Sequence, residues 1–159
     1  MGMSMAGTVE QKLAAQGVVL HEPASPVANY VGFVRSGNLL FVSGQVCFDP
    51  QGQLIAKGKL GVDVTIEQGV AAARGCAINI LAQVKAALGD LDKVVRVVRL
   101  GGFVNSPPDF IDAPKVVNGA SDLMVAAFGD KGRHARAAVG VAALPADAAV
   151  EVDAVFEVA

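Results

Sequence analysis

Apolar residues recur along this chain with two periods, and the periods divide it into elements. Ile66, Val70, Ala73, Ala77, Ile80, Val84 and Ala87 are spaced by alternating steps of four and three. That spacing predicts a helix from Ile66 to Leu88 with these residues on one stripe and Glu67, Arg74, Gln83 and Lys85 mostly off it. Thr65 is placed to cap its start and Gly89 to end it. A second helix is predicted from about Ala113 to Phe128, with Asp112 as cap, Pro114 in the first turn and Gly129 as stop. Thr8 to Gln16 has the composition of a short helix, ended by Gly17.

The other period is two. Val150, Val152, Ala154, Phe156 and Val158 share one face of a predicted strand, with Glu151, Asp153, Val155 and Glu157 on the other. Tyr30–Val34 and Leu39–Ser43, joined by Arg35-Ser-Gly-Asn38, predict a hairpin. Lys93–Val104 and Arg136–Leu144 predict two more strands, and Pro145–Ala148 a turn before the last. Asn105-Ser-Pro-Pro-Asp109 interrupts the pattern, and Gln51–Gly61, with three glycines, predicts a mobile loop. From the hairpin onward the order is β-β-α-β-α-β-β. It predicts an α+β fold, a single mixed sheet with two helices packed on one face, in one domain over residues 1–159 with residues 1–29 as an N-terminal extension. The uncovered face, acidic along its last strand, meets either water or a partner subunit.

Composition sharpens this picture. Alanine (27) and valine (26) fill a third of the chain, charged residues only 18%, and mean hydropathy is +0.48. Disorder is excluded, since it needs low hydrophobicity and high net charge. One small core hides such a composition poorly, so a subunit interface is expected. A net charge of −2 and a pI near 5.6 argue against general nucleic-acid binding, which draws on Lys and Arg neutralising phosphates. Seven Phe, one Tyr and no Trp offer little for base stacking. Cys47 and Cys76, with only two histidines, give no metal-ligand spacing and read as buried apolar thiols. MGMSMAGTVEQK has neither a basic n-region nor an apolar h-region, and no run of 18 apolar residues occurs, so a soluble cytoplasmic protein is expected.

The phosphate-loop, dinucleotide, nucleophile-elbow and zinc-protease motifs are all missing. What remains is the segment His134–Pro145 and the acids after it. Arg136 opens an otherwise apolar strand. It reads either as an edge arginine reaching solvent or as an anion clamp, since its planar fork matches a carboxylate. His134, two residues earlier, points to the same face if the strand extends that far. Glu151 alone reads as a surface acid.

Ala135-Arg-Ala-Ala-Val-Gly-Val-Ala-Ala-Leu-Pro145, the short turn after it and the alternating acidic strand resemble the signature of the RidA family, also called YjgF/YER057c/UK114. Asn38-Leu-Leu-Phe-Val-Ser-Gly-Gln45 resembles the family's Ser-Gly-Gln strand end, and Val117-Asn118 its Val-Asn. The resemblance implies a fold like trimeric chorismate mutase, a homotrimer around an inner barrel, with sites in the clefts between subunits. It implies a deaminase that hydrolyses reactive 2-imino and enamine acids to 2-keto acids and ammonia, with no cofactor and no metal. Arg136 matches the arginine that holds the substrate carboxylate, and Glu151 the acid near the attacking water. Tyr30, Ser43, Gly44 and Asn118 match substrate-binding positions. Ala138 stands where many members have Cys, a position whose backbone is the expected contact. His134 is a departure from common members and a further candidate. Val46-Cys47 after the Ser-Gly-Gln, the longer Gln51–Gly61 loop and the Asn105–Asp112 insertion are departures only. The expected partners are a small carboxylated imine or keto acid and two further copies of the chain, with neither membrane nor nucleic acid. The competing readings are a non-catalytic trimer that binds small carboxylates, and an endoribonuclease, for which Lys131-Gly-Arg133 is a local basic patch.

Overall fold

The computed structural model describes residues 7–23, 25, 26 and 28–159. Helix α1 (Thr8–Ala15) precedes the hairpin β1 (Phe33–Ser36) and β2 (Leu39–Val46). Then follow α2 (Ile66–Leu88), β3 (Val94–Asn105), α3 (Ala113–Phe128), β4 (Ala135–Val141) and β5 (Val150–Val158). The strands form one sheet in the order β1-β2-β5-β3-β4. Only β3 and β4 pair in parallel. A parallel pair needs a crossover rather than a tight turn, and α3 supplies it, which leaves β4 as an edge strand.

The alternation in β5 fixes the inside of the sheet. Val150, Val152, Ala154, Phe156 and Val158 are buried beneath α2 and α3, while Glu151, Asp153, Val155 and Glu157 are half-exposed on the other face. The α+β plan with one covered face therefore holds. Leu13 of α1 and Val18 join the same core, and α1 packs against α3. Thr65 caps α2 through a capping box: its Oγ1 accepts from the Gln68 amide at 3.1 Å, and the Gln68 side chain accepts from the Thr65 amide at 2.9 Å. No helix among the described residues is long and apolar enough to cross a membrane.

Several expectations change. Tyr30, Val31 and Gly32 lie outside the first strand, which begins at Phe33, and β2 runs on to Val46. The Arg136–Leu144 strand is Ala135–Val141, because the chain turns away before Leu144. The side chain of Asp112 does not cap α3; it pairs with Lys115 at 3.5 Å. The loop over residues 51–61 is tied down rather than mobile. Short bridges join Phe48 to Leu54 and Lys57 to Ala148, Leu60 is fully buried, and Ile55 and Leu60 rest on Gly75 and Gly69 of α2. That cover also explains why α2 is buried far beyond its predicted stripe, with Asn79 and Gln83 inside.

The uncovered face carries an apolar patch. Val34, Phe41 and Val139 are 53%, 45% and 47% exposed, with Leu39 beside them. Cross-strand pairing lines up Val34, Phe41 and Val155 in one row and Val139 and Phe103 in another.

Candidate functional site

The sheet separates the candidate residues into two groups. Arg136 pairs with Leu100 and Leu100 with Ala154, both buried under the helices, so Arg136 points to the helix-covered face at the β4 edge. Glu151 pairs with Phe103 and Val46 and points to the opposite face. Within one chain the two side chains lie on opposite sides of the sheet and cannot close on one small molecule.

The first group is built on α3 and β4. The guanidinium Nη1 of Arg136 donates to Asn118 Oδ1 at 2.8 Å and to Ser121 Oγ at 3.1 Å, and Nη2 reaches the Pro114 carbonyl at 3.4 Å. Asn118 and Ser121 are three residues apart and share one helix face. All three acceptors are neutral, and no carboxylate of the described residues pairs with Arg136. The group is exposed yet held at several points, with its charge uncompensated. That arrangement suits a planar carboxylate. Ala138, two residues on, packs partly against the core. The strand does not extend to His134, which lies one residue before β4, yet its ring contacts Ser121 on the same side as Arg136. Burial first, and then the Arg136 charge, push its pKa down, against the pull of the Gly132 carbonyl.

The second group is built on a bulge. Val42 pairs with Ala154 and Gln45 with Val152, so Ser43 and Gly44 together face Asp153. The Ser43 hydroxyl donates to the Val31 carbonyl at 2.6 Å and its amide to the Gly32 carbonyl at 2.9 Å, which draws the segment after Tyr30 over the strand end. Tyr30, Ser43 and Gly44 line a cleft of about 390 Å³ together with His21, Asn79 and Gln83. The Glu151 carboxylate rests against Gly44, where a Cβ would collide with it. Half-burial raises its pKa, and the neighbouring Asp153 adds to the rise. Gly44→Ala is therefore expected to fold, because the clash falls on the end of a flexible side chain. It should displace the carboxylate and slow any reaction that uses it by roughly 10- to 100-fold. Thermal melting beside rate measurement checks both halves.

Three features escaped the sequence. Ser121 bridges His134 and Arg136, although its i+3 spacing from Asn118 was a readable sign. Asn79 and Gln83, four apart and buried on α2, were another; Asn79 Nδ2 donates to the carbonyls of Val46 at 3.1 Å and Phe48 at 2.9 Å. Cys47 and Cys76 are buried and free as expected, but they also touch one another, and the Cys76 Sγ–H reaches the Val150 carbonyl beside Glu151 at 3.4 Å. Burial keeps the Cys76 thiol neutral, and the Glu151 charge acts in the same direction. Among the described residues no three His, Cys, Asp or Glu side chains gather as metal ligands.

A single sheet covered by helices on one face, with an arginine at its edge strand, defines the class as a small α+β protein. The family profile described as "YjgF/chorismate mutase-like, putative endoribonuclease" matches residues 10–157, and the chain belongs to that family. Protein TCP17 of Trypanosoma cruzi is 50% identical over 99% of this chain and 98% of its own. The crystal structure of Atu1372 from Agrobacterium tumefaciens, of unknown function, is 50% identical and superposes with a TM-score of 0.88 over 95% of this chain and 93% of that one. A protein of Shewanella oneidensis described as a putative endoribonuclease is 36% identical, with a TM-score of 0.91 over 96% and 100%.

Proposed function

We propose that this chain is a deaminase that hydrolyses 2-imino acids, and the enamines in equilibrium with them, to 2-keto acids and ammonia. The active form is a homotrimer in the cytoplasm, assembled through the uncovered sheet face. The observation that carries this reading is the Arg136 guanidinium, fixed by Asn118, Ser121 and Pro114 and paired with no carboxylate among the described residues. A 2-imino acid brings that carboxylate, and its C=N carbon lies one bond away.

Hydrolysis then needs one water and one base. Arg136 holds the carboxylate and Asn118 steadies the guanidinium. In the assembly the second group of a neighbouring copy faces it, bringing Tyr30, Ser43, Gly44 and Glu151. Glu151 takes a proton from water as the water oxygen bonds to the imine carbon and the C=N electron pair moves to nitrogen, and it then passes that proton to nitrogen. Glu151 next takes the proton of the carbinolamine hydroxyl and returns it to nitrogen, so the keto-acid C=O forms as the C–N bond breaks and ammonia leaves. Holding both reactants in register carries much of the rate, because a protonated imine is already strongly electrophilic. Ala138 and the backbone around it border the carboxylate. No step calls for a cofactor.

The test is keto-acid release from 2-aminoacrylate generated in situ. The protein should accelerate release over buffer, and Arg136→Ala should lose about 100- to 1000-fold in kcat/KM, the cost of leaving a carboxylate unpaired in a closed site. No acceleration, or an Arg136→Ala protein as active as the original, sinks the reading. Calorimetry with 2-keto acids separates a non-catalytic carboxylate binder, which would bind without turnover. The name of the Shewanella relative supports a second reading, RNA cleavage. The net charge of −2 weighs against it, and cleavage that survives stringent nuclease removal and persists in Arg136→Ala would favour it.

A further inference from the structure

His134 has no part in the chemistry above, yet its two ring nitrogens are both engaged. Nδ1 lies 2.6 Å from the Gly132 carbonyl oxygen, which can only accept, so Nδ1 carries the hydrogen. The carbonyl itself is fixed: Gly132 is buried, and its Cα lies so close to the Met124 carbonyl of α3 that no Cβ fits. Nε2 lies 2.8 Å from Ser121 Oγ. Burial and the nearby guanidinium favour the neutral ring. With Nδ1 protonated, a neutral ring offers Nε2 as an acceptor, and the Ser121 hydroxyl must donate to it. The lone pairs of Ser121 Oγ are then turned to Arg136 Nη1 at 3.1 Å. If that hydroxyl rotated freely, its hydrogen could point at the guanidinium instead.

We infer that His134 is a positioning residue: through Ser121 it orients the hydroxyl that fixes the Arg136 guanidinium for the substrate carboxylate. This deepens the proposed deaminase site and rests on that reading. Sequence gives His134 no role because Ser121 lies in another element, 13 residues away, and only the crossover by α3 brings the two together.

The test uses the full chain, with pyruvate as the probe for binding and 2-aminoacrylate for turnover. His134→Leu removes the acceptor and is expected to weaken pyruvate binding and raise KM by about fivefold to tenfold, with a smaller fall in kcat. His134→Gln, whose Oε1 can accept from Ser121, should recover most of the loss. Ser121→Ala should match His134→Leu and stands in for it should that variant fail to fold. The double variant should be no worse than the worse single one, because both break the same chain of bonds. Four results would each overturn the inference: unchanged pyruvate binding in His134→Leu and Ser121→Ala, a kcat loss with KM untouched, multiplicative effects in the double variant, or no recovery with Gln. Arg136→Ala separates the two levels. If it binds pyruvate normally, the deaminase reading fails. If it loses binding while the His134 and Ser121 variants keep it, only the positioning role fails.

Discussion

Glu151→Gln is expected to lower keto-acid release by roughly 10²- to 10⁴-fold, the usual worth of a positioned general base, while pyruvate binding changes little. The amide keeps the shape of the carboxylate against Gly44 but cannot take a proton from water. The pH profile separates this from a packing effect. Half-burial, with Asp153 adding to it, raises the Glu151 pKa above the ordinary carboxylate value, and the base works only when ionised. Wild-type kcat/KM should therefore rise with pH through that raised pKa and fall away below it, and the limb should vanish in Glu151→Gln. Stability runs the other way. A carboxyl whose pKa is raised by folding holds its proton more tightly in the folded state, so its contribution is full below the unfolded pKa and lost as pH rises through the folded one. At neutral pH the variant should melt at or slightly above the wild-type temperature. A Glu151→Gln protein that kept both its rate and its acid limb would remove Glu151 from the reaction.

That trade of stability for function bears on how far the site was readable. The elements themselves were. Ile66–Leu88, Ala113–Phe128 and Val150–Val158 have the predicted bounds, because each carries a clean period and its own stop signals. The alternation of β5 also gave the facing of Glu151 directly. Parity could not show how β4 meets the rest of the sheet. Arg136 and Glu151 take opposite faces through pairings with Leu100 and Phe103, long-range contacts that no local pattern encodes. The loop over residues 51–61 misled for the same reason: its glycines read as freedom, while Ile55 and Leu60 are seated on α2. The apolar spacing predicts one buried stripe with Gln83 off it, whereas α2 is covered on several sides and Gln83 is buried. Arg136 stands out in the sequence as the charged opening of an apolar strand, with two readings open, whereas Glu151 alone reads as a surface acid and gains a role only from the family signature. Ser121 and Asn79 are polar residues on helices whose partners lie in other elements, so helical spacing alone gives them no role.

Mixing two inactive proteins should restore activity. If the carboxylate clamp of one copy works with the base of its neighbour, Arg136→Ala chains still carry a good Glu151 and Glu151→Gln chains a good Arg136. After co-refolding at equal amounts, any given pairing of clamp donor and base donor is intact with a chance of one half for each, so about a quarter of wild-type activity is expected in a closed ring of identical interfaces. Light scattering on the wild type should give three times the 16.2 kDa of one chain. Neither variant alters the exposed Val34, Phe41 or Val139, so both should assemble normally. The expectation follows from the sheet itself. With Arg136 on the helix-covered side and Glu151 on the other, no rotamer of either brings them to the same substrate within one chain, and the apolar patch around Phe41 needs a cover. If both groups served one substrate from a single chain, every chain in the mixture would lack one of them and the rate would stay at background. A recovered quarter, from parents each near background, is a signal that neither misfolding nor a loss of assembly can imitate.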